Sequence, residues 1–447
     1  MQVLDAQKVR RRSSVPIFAA AVMLPIVFFY TYLFSMSRDI PLTDDYDAGL
    51  KFANHLVQLP NFSERLIYFV GERHNEYKIF VGHGLVWLQL ALIGHVNFAV
   101  LSALGNISVL FLGIVLWKMF LPDVELERRL ALFLPVSLIL FQYQYVETLN
   151  WPLPGVQNLP VVTCAIGSIY LLGRKTRGAF AGALGLMVFG IASSGNGFLI
   201  ALVGMLMLLI ERMYSRLAAW GLTVALCVWA YVYHYDKMAT QNAKHQSILT
   251  ALMHPQFTYL FGFLGSAGRF PVQAGAIFLG FALCVFFGWM IWRGYLRRHS
   301  VVGYCLLFIL LTAIGVAGMR ADLGLKQSMS SRYRIYSDLL LIFAWFALVE
   351  TCRLAEAPSL RRSRLFVGIA TTSVLFCIVM DGIGVRSLRR RDQGLEHGMA
   401  LFERSGGLQS PVFSVDGQVQ GYVGFDEHAR QILLESEKAG IYEPLPY

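Results

Sequence analysis

Charged residues are scarce in this chain. Of its 447 residues only 15% are charged, against roughly 25% in a soluble domain, and the mean hydropathy is +0.54. That scarcity excludes an ordinary soluble protein. Cysteine is also sparse, with 6 in all. Cys164, Cys227, Cys284, Cys305 and Cys377 fall in apolar segments and Cys352 at the end of one. No pair has metal-ligand spacing and none lies in an expected outer loop, so no disulfide is expected. They are read as small apolar packing residues. No internal repeat or low-complexity tract stands out.

What the chain does have is apolar runs of membrane-spanning length, recurring from end to end. The expected fold is therefore all-α and polytopic, with about eleven transmembrane helices. The segments are 15–36, 97–119, 130–149, 155–173, 179–194, 197–211, 217–234, 271–292, 301–319, 333–351 and 364–385. The first is too long for the apolar core of a cleaved signal, and no small-residue cleavage site follows it, so it stays as a span.

Loop charges orient the set. With "KVRRR" (8–12) cytoplasmic, the inner loops hold "ELERR", "RKTR", "ERMYSR", "RGYLRRH" and "RLAEAPSLRRSR". The short outer loops 150–154 and 194–197 hold no Lys or Arg, as the positive-inside rule requires. This parity depends on 79–94, which reaches only about 24 Å against a core of roughly 30 Å. It is expected to be part of an interfacial or re-entrant helix, 76–94. The net charge of +10 then reflects inner loops and anionic lipid, with no nucleic acid implied.

That layout gives a transmembrane domain, 1–385, and a small extracytoplasmic region, 386–447. The "RSLRRRD" run at 386–392 resists the assignment, though long tails are less bound by the charge rule. The tail contains "PVFSVDGQVQGYVGF", a short hairpin with Asp416-Gly417 at its turn. "DEHARQILLESEKAG" follows as an amphipathic helix, expected to pack on the outer loops.

Polar residues gather on the expected outer face. "RDIPLTDDYDAGLKFANHL" (38–56) carries the adjacent carboxylates Asp44 and Asp45 just beyond the first span. Segment 46–58 is amphipathic, with Asp47, Lys51, Asn54 and Gln58 on one side, and should rest along the membrane surface. The same loop ends in "GERHNEYK", with His74, Asn75 and Glu76. Glu147 and Asn150 lie at a later outer edge, and Arg269, Arg320, Arg332 and Arg334 in the late outer loops. Acids in one loop and cations in others suit removal of a proton and stabilisation of an anionic leaving group.

This layout resembles the GT-C superfamily of integral-membrane glycosyltransferases. The resemblance rests on "TDDYD" after the first span, the interfacial helices 46–58 and 76–94, and "SSRYRIYS" entering a late span. It looks closest to bacterial members that modify surface polysaccharide or lipopolysaccharide from undecaprenyl-phosphate sugars. The resemblance implies an inverting enzyme of the bacterial inner membrane, with its N-terminus cytoplasmic and its site and C-terminus periplasmic. Its base would be Asp44 or Asp45. Its donor-phosphate arginine would be Arg332 or Arg320, with Arg334 and Arg269 beside them. His74, Asn75, Glu76, Glu147 and Asn150 would serve the acceptor or secondary roles. The implied partners are a polyprenyl-phosphate-linked sugar, a glycan or lipid acceptor, and membrane lipids. No cofactor or metal is required, although a divalent cation is conceivable beside the acidic pair. The tail lies outside the resemblance.

Plainer readings compete. Either aspartate serves equally as a helix cap; the arginines flank spans, where such side chains snorkel; His83 suits a packed core position. At the level of function the alternatives are a transporter or flippase for lipid-linked sugars, a polysaccharide polymerase or ligase, and an acyltransferase. The absence of matching halves weighs against transport. The dominance of the first loop weighs against polymerases. An acyltransferase needs a histidine centre, which His74 would supply.

Overall fold

The computed structural model describes residues 2–74, 78–233, 256–269, 272–356, 360–412, 414–415, 418–419 and 424–443. The described residues of the expected spans are mostly helical. Eight of the described helices are long and apolar enough to cross a membrane: Ser14–Ser35, Phe98–Met119, Leu126–Leu149, Pro152–Gly173, Tyr214–Val232, Gln273–Trp292, Ser300–Leu323 and Leu360–Arg404. The chain is thus a multi-pass membrane protein. The pair Arg177–Ser193 and Phe198–Ile210 is shorter, and Arg334–Thr351 contains Arg334, Asp338 and Glu350.

The structure departs from the sequence reading at several boundaries. Segment 130–149 is interrupted after Leu140, and Tyr143 turns back to donate its hydroxyl to Phe28 O (2.7 Å). The last span lies in the N-terminal half of a 45-residue helix, Leu360–Arg404, about 68 Å long at 1.5 Å per residue. Two helices were not anticipated, Phe62–Gly71 and Phe257–Leu264. The first had a signature in "NFSE". Asn61 accepts from Glu64 N (2.9 Å) and donates to the Glu64 carboxylate (2.8 Å), a reciprocal cap at N-terminal spacing.

The described chain forms two compact units. The first comprises Met1–Ser35, Val109–Tyr145 and His245–Val385. Within it, Ser137 binds Val22 O (2.7 Å) and Asp381 accepts from Tyr143 N (2.9 Å). Helices Phe257–Leu264 and Gln273–Trp292 approach so closely that a Cβ on Gly280 would strike Phe261 O.

The second unit comprises Met36–Ser108, Val146–Lys244 and Arg386–Tyr447. Phe98–Met119 crosses Pro152–Gly173 at two glycines. A Cβ on Gly105 would lie 2.7 Å from the Gly155 carbonyl carbon. Ser102 Oγ and Asn106 Nδ2 both donate to Leu149 O beside the crossing (2.7 and 2.8 Å). Pro152–Gly173 then runs about 33 Å to a charged end, where Lys175 pairs with Glu211 and Arg216 donates to Lys175 O (2.8 Å).

The helix Phe80–Ile93 has both ends beside segment 39–45. Gly82 packs against Leu153, whose N–H is held by Asp45, and the chain leaves through Gly94 to Phe98, whose N–H is held by Asp39.

The tail packs on the first loop. Strands Ser414–Val415 and Gln418–Val419 pair antiparallel; Asp416 and Gly417 lie outside the described residues. Helix Phe425–Lys438 covers segment 46–58. Asn54 donates to Ser436 Oγ (3.0 Å), and Tyr46 meets Phe425 edge to face. Asn54, expected on a polar face, is therefore buried, while Val57 is exposed. The segment is sandwiched within protein, because the tail helix supplies a second apolar face that the loop alone did not reveal.

Candidate functional site

Residues 42–46 form a strained turn. Thr43 has φ +41°, a left-handed conformation that is costly for a β-branched residue. Asp45 holds it. One carboxylate oxygen accepts from Leu42 N and the other from Leu153 N, both at 2.9 Å. Asp45 is fully buried. Burial pushes its pKa well above the usual range, with the neighbouring Asp44 charge adding to the shift and the two amides opposing it. It caps a helix, but one more than a hundred residues away, the N-terminal turn of Pro152–Gly173.

Asp44 faces the other way. Its side chain is 39% exposed and lies 3.7 Å from His74 Nε2, which is itself 9% exposed. An accessible carboxylate beside a nearly buried imidazole can accept, hold and pass on a proton. Of the two adjacent aspartates, one is buried in backbone contacts and the other is partly exposed beside His74.

Cations line the same loop. Burial raises the Glu72 pKa, opposed by the charges of Lys51, His55, Arg73 and His74. Lys78 is fully buried. Its ammonium donates to Val70 O (2.6 Å), Tyr233 O (2.5 Å) and Ala230 O (3.4 Å), closing the C-terminal ends of two helices. His83 is buried and stacked on Phe52 at 4.1 Å, a packing role. Asn75 and Glu76 lie outside the described residues.

At the same end of the second unit, Asn150 accepts from Arg391 Nη1 (3.1 Å). Glu147 is half-buried one turn earlier. Arg38 pairs with Asp392 (2.8 Å) and Glu396 (3.0 Å). The "RSLRRRD" run thus meets the first loop and loop 150–152 through Asp392 and Arg391. His428 Nε2 reaches Asp47 (2.9 Å) from the tail.

The arginines belong to the first unit. Arg269 donates to Met329 O (3.3 Å) and Arg332 to Ser330 Oγ (3.2 Å), so both converge on one short segment. The charges of Arg320 and Arg332 both act on the Tyr259 hydroxyl, which is buried without a hydrogen-bond partner among the described residues. Arg334 is turned inward, donating to Gln144 O (3.2 Å). Behind it lies Asp338, fully buried and held by Gln144 Nε2 at 2.6 and 2.8 Å. Sequence reasoning missed Asp338, although an acid inside an apolar run is itself a signal.

Among the described residues no group of three or more His, Cys, Asp or Glu side chains is placed to hold a metal ion. Comparison with known proteins finds no matching family model, no matching relative and no matching solved structure.

Proposed function

We propose that this protein is a membrane glycosyltransferase that moves a sugar from a polyprenyl-phosphate donor to a cell-surface glycan or lipid acceptor. The observation that carries the reading is Asp44, an exposed carboxylate beside His74 on a turn that Asp45 holds under strain. An acceptor hydroxyl is a poor nucleophile until a positioned base begins to take its proton. Asp44 is that base. The acceptor oxygen bonds to the anomeric carbon, the bond from that carbon to the phosphate oxygen breaks, and polyprenyl phosphate leaves with the electron pair. Attack from the opposite face inverts the anomeric centre. Within the first unit, Arg320 and Arg332 carry the chemistry a phosphate group needs, since a guanidinium stays charged and binds phosphate oxygens in pairs. Arg269 supports them. Arg334, engaged with Gln144, is assigned a structural part, as is Asp45. The finer topology that fits is eleven spans in a bacterial inner membrane, N-terminus inside, with the site and tail outside.

The test uses purified protein in detergent with a panel of polyprenyl-phosphate sugars, following sugar release and thermal stabilisation. Asp44→Asn should still be stabilised by a donor yet transfer at least ~100-fold more slowly, the scale of a lost general base. Arg332→Ala should weaken donor binding. If no donor stabilises the protein, or Asp44→Asn transfers at the wild-type rate, the reading fails.

The Asp44–His74 contact also favours a second reading, an acyltransferase in which His74 is the base and Asp44 orients it. Acyl donors in the same panel distinguish the two.

A further inference from the structure

A cleft of about 170 Å³ lies in the first unit, lined by Arg128, Leu132, Leu354, Arg362, Ser363 and Phe366. It sits where two membrane-length helices begin, Leu126–Leu149 and Leu360–Arg404. Arg128 and Leu132 are four residues apart on one, Arg362 and Phe366 four apart on the other. Residues at that spacing share a helix face. Each helix therefore presents a guanidinium at the rim and an apolar group one turn further in. Leu354, also in the lining, is buried.

The two cations are not equally engaged. Neighbouring Arg129 lies over the Trp117 ring and donates to Trp117 O. Arg128 has no hydrogen bond or ion pair among the described residues. Arg362 reaches Glu356 (3.4 Å) and Arg353 O (3.4 Å). Glu356 is half-exposed, so that pair is solvent-screened and readily exchanged for a better anion. The helix N-termini add partial positive charge at the rim.

We infer that this cleft holds an anionic membrane phospholipid, its phosphate between Arg128 and Arg362 and an acyl chain along Leu132 and Phe366. Order along the cleft decides the ligand class. A free phosphate would leave the apolar wall unused, and a zwitterionic headgroup would bring its own cation against two guanidiniums. Basic pockets between transmembrane helices are where anionic headgroups bind. The inference does not depend on the glycosyltransferase reading.

The experiment titrates the full-length protein in detergent with phosphatidylglycerol or phosphatidylcholine, reading retained lipid by native mass spectrometry and stability by melting. The wild type should retain phosphatidylglycerol several-fold over phosphatidylcholine. The double variant Arg128→Gln/Arg362→Gln should lose that preference while melting normally in phosphatidylcholine. Arg361→Gln, exposed and outside the cleft, should behave as wild type. If the double variant does not fold, Ser363→Glu places a repelling charge in the cleft and should abolish the preference alone. Equal retention of both lipids, or a preference that survives these changes, overturns the inference. So does equal stabilisation by millimolar inorganic phosphate, which would identify a free-anion site.

Discussion

At the scale of single residues, adjacent aspartates with the same chemistry have been given opposite tasks by burial. Asp45→Asn keeps one accepting oxygen but turns an amide group toward a backbone N–H. It should destabilise the protein by about 1–3 kcal/mol, the cost of an unsatisfied buried donor, measured as melting in detergent. A variant that melts like wild type would remove its structural role. Asp39 gives a pH signature. Burial pushes its carboxyl up to about 6, while the Phe98 amide and the His95 charge oppose the rise. The ordinary value is near 3.9, so the folded state holds the proton more tightly than the unfolded chain. The stability from this group is present in full below the unfolded value and is lost as pH rises through about 6. The loss is at most about 3 kcal/mol. Asp39→Asn retains the oxygen that accepts from Phe98 N (2.7 Å), so its melting profile should be flatter than wild type between pH 4 and 7. Identical profiles would show that Asp39 does not titrate in that range.

At the scale of elements, the helices were largely legible because apolar runs of this length have few other fates in a membrane protein. Their partners were not. Gly105 and Gly155 are unremarkable in "SALGNI" and "PLPGVQ", yet they mark the contact between two helices. Gly105→Val should force the backbones apart and cost about 1–3 kcal/mol or more, read as a lower melting temperature. Gly185, where a Cβ would meet nothing, should accept Ala with little effect. The same limit applied to the site. The acidic pair was visible by inspection, but which member is buried depends on Leu153, and the burial of Asn54 depends on Ser436. Composition and spacing carry no record of such long-range contacts. The "NFSE" cap, by contrast, was a local signal and readable.

At the scale of the whole molecule, the first loop and the tail share one end of the second unit, and Lys175 marks the other end. On the proposed orientation, thiol labelling of intact cells should modify Gln58→Cys and Gln409→Cys alike and Arg177→Cys only after permeabilisation. If 58 and 409 label from opposite sides, the packing of the tail on the loop is wrong. If all three reverse together, the packing stands and the membrane orientation inverts.

The bond from Asp45 to Leu153 also sets an order of events during synthesis. At ~5–20 residues per second, the acid waits roughly 5–20 s for a partner 108 positions downstream. The contacts from Asn54 to Ser436 and from Asp39 to Tyr442 wait far longer, for partners 382 and 403 positions downstream. A ribosome stalled just before Ser436 would leave a chain with most of its apolar helices made but the packing of its first loop unfinished. Completion of that loop thus reports that synthesis has passed Tyr442.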